Sequence, residues 1–177
     1  RRAQRHHAGL ADQMIREARP GWDHFKVVQD FTTLAGYFQR LETRSRTTIN
    51  IGTFVGAGSV RDYVLGSGNV PSTPATLERM KALVADAMRD GALGVSSSLQ
   101  YVPDRFNTTG DLVELAKVAA SHGGIYLTHL RSESGQIDQA LDETFTVAER
   151  ARIPAEIWHL KTAYKANWGR MPAVLRR

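Results

Sequence analysis

Parallel strands alternating with helices, an α/β fold, is the architecture this sequence predicts, and three observations predict it. Short β-rich runs start near Thr47, Leu93, Ile125 and Ala155, and the last two intervals are close to thirty residues. Helix-length amphipathic segments lie between them, which is the period of repeated βαβ units and so of a parallel sheet. The third observation is an echo: Tyr126-Leu-Thr-His129 and Ile157-Trp-His159 both end in His, and each is followed by Leu and a basic residue. Two architectures satisfy the pattern, a doubly wound open sheet and part of a (β/α)8 barrel. A whole barrel takes about 250 residues, so four strands make half of one.

Residues 1–29 read as a basic, polar lead-in. Its weak helical periodicity (Leu10, Met14, Ala18) ends at Pro20-Gly21, and His6-His7 is expected at the surface. Residues 30–177 read as the folded part. Asp30 is placed to cap a helix with Phe31, Leu34, Tyr37, Phe38 and Leu41 on its core face. Thr47 to Val55 is a β-rich run stopped by Gly56-Ala-Gly58. That spacing fits neither phosphate-binding glycine motif, so a tight strand-to-loop turn is expected, with a longer excursion from Arg61 to Ser72. Thr73-Pro74 opens a helix with Leu77, Met80, Val84 and Ala87 inward, and Gly91 ends it.

Leu93-Gly-Val95 forms a strand running into Ser96-Ser-Ser98. These serines lack a nucleophile elbow and serve structural hydrogen bonding. Thr108 or Thr109, with Asp111, starts a helix that buries Leu112, Leu115, Ala116 and Ala119 and closes at Gly123-Gly124. Strand Ile125–His129 follows, then a helix carrying Ile137, Leu141, Phe145 and Ala148. Ile153-Pro154 breaks it and begins the strand ending at His159. Tyr164 to Gly169 is a loop, and Met171 starts another helix.

The bulk numbers bound the chemistry. With 177 residues and 42% hydrophobic content the chain can build a core. No apolar run approaches the ~20 residues of a membrane helix, and no segment has a signal-peptide layout; a cytoplasmic location is the expectation. There is no cysteine, which leaves His, Asp and Glu as metal donors. The net charge of +5 is scattered arginine without aromatic interleaving, so no nucleic-acid partner is expected.

In a βαβ unit both strands end at the same edge, where parallel-sheet proteins place their chemistry. His129 and His159, thirty positions apart, are therefore candidate ligands of one metal ion. Side chains alternate along a strand, so Arg131 and Lys161 are expected on the same side as the histidines, one step nearer the rim. A metal with cations beside it suits a small-molecule substrate carrying a carboxylate.

The segments Ile49-Asn-Ile-Gly-Thr-Phe-Val-Gly56 with Val60-Arg61, Asp90-Gly-Ala-Leu-Gly-Val-Ser-Ser97 with Tyr101 and Pro103, and Leu115-Ala-Lys117 carry a family resemblance. Gly123-Gly-Ile-Tyr-Leu-Thr-His-Leu-Arg-Ser-Glu133, Pro154-Ala-Glu-Ile-Trp-His-Leu-Lys161 and Asn167-Trp-Gly169 complete it. Together, in this order, they resemble the N-acyl-D-amino-acid deacylase (D-aminoacylase) family of the amidohydrolase superfamily, from about Asp30 to Met171. The resemblance implies the central half of a (β/α)8 (TIM-type) barrel lacking its first and last strands. It implies Zn2+ held by His129 and His159, the substrate carboxylate gripped by Lys161, and Tyr101 approaching the substrate. The reaction implied is hydrolysis of the amide of an N-acyl-D-amino acid.

The superfamily's first-strand His-x-His, the cysteine ligand and the late general acid/base Asp find no match in this sequence. No catalytic residue is therefore expected within this chain, which reads as an inactive central fragment of a longer enzyme. An unclosed half barrel is also expected to self-associate through its sheet edges. The alternatives are another amidohydrolase, hydantoinase- or dipeptidase-like, and a non-catalytic α/β module.

Overall fold

In the computed structural model, residues 16, 18–26, 30–45 and 47–177 are described. The expectations for His6-His7, Leu10 and Met14 fall outside them. A helical stretch α1, residues 18–24, runs through Pro20-Gly21, and Phe25 N donates to Gly21 O at 3.0 Å. The glycine thus lies inside the turn it was expected to end.

Four strands, β1 (Val55–Gly56), β2 (Gly94–Ser98), β3 (Ile125–His129) and β4 (Ala155–Ile157), form one parallel sheet in the order β1-β2-β3-β4. The crossovers are α3 (Ala57–Leu65) with α4 (Pro74–Arg89), then α5 (Thr109–Ser121), then α6 (Ile137–Ala151). That order separates the two architectures left open by the sequence. Right-handed crossovers that always step the same way put every helix on one face of the sheet. A doubly wound sheet reverses direction and covers both faces. The chain is a segment of a singly wound, barrel-type (β/α) fold.

The core follows from this. Val60 and Val64 of α3, Met80 and Val84 of α4, Leu112, Leu115, Ala116 and Ala119 of α5 and Val147 of α6 pack on Val95 and Tyr126 of the sheet. By strand alternation Ser97 and Thr128 share that helix-covered side, while Ser98, Leu127 and His129 lie on the other. Hydroxyls meet in the covered layer: Ser97 Oγ lies 2.7 Å from Tyr126 OH and 2.9 Å from Thr128 Oγ1. Burial pushes the Tyr126 phenol up to about 12. Among the described glycines the tightest fit is at Gly94 of β2, where an added Cβ would meet Ile125 O of β3 at 1.9 Å.

Local signals explain the starts of α4 and α5. Thr73 caps α4 with Pro74 in its first turn, and Thr108 with Asp111 forms a reciprocal capping box on α5. Elsewhere the structure corrects the sequence. Helix α2 (Leu34–Arg40) is capped by Thr33, whose Oγ1 accepts from Gly36 N at 3.1 Å. Asp30 instead pairs with Arg40 and Arg44. No residue of α2 is buried, so its apolar stripe is not core; only Leu34 packs, half-buried, on the main cluster.

The β-rich run from Thr47 reduces to Val55–Gly56. Val55 pairs with Val95, so residues 47–52 would face residues 87–92, the end of α4 and the turn after it, where β2 has not begun. Gly56 caps α3, so a helix rather than a loop follows the strand. In α6 the buried stripe is Ile137, Ala140, Leu141, Thr144, Val147 and Ala151, with Phe145 outward. Each four-residue step overshoots a turn by about 40°, so two steps from Ile137 carry Phe145 off the core face. Lys165–Arg170 is a 3-10 segment rather than a loop, followed by α7 (Met171–Val174). Among the described residues no helix is long and apolar enough to cross a membrane.

Candidate metal centre

His129 is the last residue of β3 and is buried, in register with Ser98 of β2. β4 stops at Ile157, two residues short of His159. Trp158 N still donates to Thr128 O at 2.9 Å, and then His159 takes a left-handed φ of 38°. Register explains why it must. Thr128 pairs with Ile157, so a regular continuation would pair His129 with Trp158 and turn His159 to the helix side. The left-handed residue breaks the alternation, and the two imidazoles meet edge to face with centroids 4.7 Å apart.

Glu133 closes the cluster from the loop between β3 and α6. Its backbone carbonyl accepts from Ala163 N at 2.5 Å, tying that loop to the one after β4. Its carboxylate is buried, with Oε1 2.5 Å from Lys161 Nζ, 3.0 Å from His159 Nδ1 and 3.3 Å from His129 Nε2. Burial pushes this carboxyl up, but the Lys161 hydrogen bond and the neighbouring cationic groups outweigh it and hold it below its usual value. Despite the short distance, His129 Nε2 makes no hydrogen bond and is shut off from solvent.

The expected residues fall out as follows. Lys161 joins the histidines, with Nζ 3.0 Å from His159 Nδ1, although it lies beyond the strand and is brought there by the loop rather than by alternation. The Tyr101 ring, largely exposed, sits 5.3 Å from the His129 ring. Arg131 departs from expectation, because β3 ends at His129 and alternation does not extend to it. Its guanidinium forks onto Glu143, 2.8 Å to each oxygen, and donates to the carbonyls of Arg105 (2.7 Å) and Asn107 (2.9 Å). Sequence reasoning missed Glu133. Its signal was the four-residue spacing from His129, too common on its own to single out a carboxylate.

His129, Glu133 and His159 each offer a donor atom, and these lie within 4.8 Å of one another. Two imidazoles at one sheet edge offer nitrogen donors that suit zinc, with the Glu133 carboxylate beside them.

No family model matches the chain. A D-aminoacylase of Alcaligenes xylosoxydans xylosoxydans is 32% identical over 145 residues, covering 82% of this chain and 30% of that protein. A solved D-aminoacylase, described as defining a novel subset of amidohydrolases, matches with a TM-score of 0.77 at 32% identity, over 82% of this chain and 31% of that one. The N-acyl-D-glutamate deacylase of Bordetella bronchiseptica, solved with zinc and a phosphonate mimic of the tetrahedral intermediate, matches with a TM-score of 0.78 at 27% identity, again over 82% and 31%. The chain thus spans about a third of the length of the relatives it matches.

Proposed function

As a relative of the D-aminoacylases in both sequence and amidohydrolase fold, this chain carries, we propose, part of the active site of a zinc-dependent enzyme that hydrolyses the amide of N-acyl-D-amino acids. The products are a D-amino acid and a carboxylate. The observation that carries this reading is the meeting of His129 and His159 across a broken register, beside one buried carboxylate.

His129 and His159 would hold the zinc, which when bound polarises the acyl carbonyl and lowers the pKa of a water. Lys161 binds the substrate's carboxylate as a point charge and so fixes the amide beside the two histidines, a positioning effect. Tyr101 packs against His129 and walls the same approach. Arg131, expected to bind substrate as well, is assigned instead to holding the β3 exit on α6 through Glu143. The group that carries the proton to the leaving amine lies in none of these residues.

Elemental analysis of the full-length protein beside His129→Ala and His159→Ala, with release of D-amino acid from N-acyl-D-amino acids, tests the reading. Bound zinc lost in both variants, together with hydrolysis, is expected. Zinc retained in both, or no hydrolysis of any N-acyl-D-amino acid by the zinc-loaded protein, would overturn it.

A further inference from the structure

Glu133 is the one buried group of the cluster without an assigned part. Burying a carboxylate is costly unless it is paired, and every polar contact of this one is with the site: Lys161 Nζ, His159 Nδ1 and His129 Nε2. The other half-buried carboxylates of the region pair with arginines instead, Glu143 with Arg131 and Asp138 with Arg170.

We propose that Glu133 is the positioning residue of this site, a single carboxylate that orients both imidazoles and the Lys161 ammonium. For the substrate-binding half, the proposal rests on the deacylase reading above. Glu133 Oε1 approaches one nitrogen of each ring, 3.0 Å from His159 Nδ1 and 3.3 Å from His129 Nε2, the second a contact that has not closed to a hydrogen bond. The opposite nitrogens, His129 Nδ1 and His159 Nε2, have no hydrogen-bond partner among the described residues and are free to take an ion. A histidine whose far nitrogen holds a metal carries its proton on the near one, and a carboxylate there fixes the tautomer and raises the ring's basicity.

The same oxygen explains how a lysine can stand beside metal ligands. Lys161 Nζ is 3.0 Å from His159 Nδ1, and a bare ammonium there would oppose both a bound cation and the ring's own N–H. With Glu133 between them, both groups donate to one anion. Lys161 has three hydrogens, so others remain for a substrate carboxylate.

The test uses the full-length protein with Glu133→Gln, Glu133→Asp, Lys161→Met and the Glu133→Gln/Lys161→Met pair. Zinc affinity is read by chelator competition, and KM and kcat are read separately. Glu133→Gln is expected to weaken zinc about 10- to 100-fold. It is also expected to raise KM more than it lowers kcat, and the KM effect should vanish in the Lys161→Met background. Glu133→Asp should recover part of both losses, and it stands in if the glutamine variant does not fold.

Zinc affinity and KM both equal to the unsubstituted protein would overturn the proposal. A KM rise that persists unchanged without Lys161 would overturn its lysine half. If Glu133→Gln weakens zinc but no N-acyl-D-amino acid is hydrolysed, the deacylase reading falls while the orientation of the histidines by Glu133 stands.

Discussion

His129 and His159 meet edge to face with centroids 4.7 Å apart, although the ladder of β3 and β4 pairs neither with the other. Contact depends on one backbone angle, the left-handed φ of 38° at His159. Most side chains resist that region, at a cost of about 1–2 kcal/mol, and asparagine tolerates it best after glycine.

A first prediction separates backbone from ligand at this position. His159→Asn keeps the turn and loses the imidazole, whereas His159→Val loses both. In urea unfolding of the metal-free protein, His159→Val should be the less stable by ~1 kcal/mol. Equal stabilities would show that the turn does not depend on the residue there. Neither variant should retain zinc.

Arg131→Lys tests the assignment of that arginine to the scaffold. Lysine supplies the charge but not the fork, and the carbonyls of Arg105 and Asn107 lose their donor. Stability should fall by about 2 kcal/mol, with KM for an N-acyl-D-amino acid unchanged in the protein that remains folded. A raised KM without loss of stability would return Arg131 to the substrate.

Gly94 leaves no room for a side chain against the neighbouring strand. Alanine there would put its Cβ 1.9 Å from Ile125 O, against strand backbone with no room to yield. Thermal and urea unfolding of Gly94→Ala should show a loss at the upper end for single substitutions, ~3 kcal/mol or more. A near-neutral effect would mean that β2 and β3 can separate locally without penalty.

Acid titration reports on Asp104. Burial pushes its carboxyl above 3.8, although hydrogen bonds from Ser98 N and Asn107 pull the other way. Between 3.8 and the raised folded value the folded chain holds the additional proton, so this group's contribution to stability falls as pH rises across that window. Compared with Asp104→Asn by urea unfolding between about pH 4 and 7, the unsubstituted protein should gain stability toward acid. A difference that does not change with pH would show that burial does not dominate at this site.

Where sequence sufficed, the information was local. The cap at Thr73, the box-like start at Thr108 with Asp111 and the strand Ile125–His129 are written in neighbouring residues, and the structure keeps them. What failed depended on partners far along the chain. Thr47 to Gly52 has strand composition but no rung opposite it. Arg131 follows a strand, but its partner is Glu143 on the next helix. Spacing gave the βα period yet could not give strand order, so the sheet alone decided between the two architectures. The paired histidines were legible, but their means of meeting was not, because nothing in Trp158-His159-Leu160 announces a left-handed residue.

The contacts joining His129, Glu133, His159, Lys161 and Ala163 span 2 to 30 positions, all between the start of β3 and the loop after β4. Short loops cost little entropy to close, and contacts of low sequence separation form fastest. The two histidines and their carboxylate can therefore come together on the growing chain as soon as Ala163 is free of the ribosome, with no later segment required. The cluster would then stand assembled before anything beyond Ala163 packs against it.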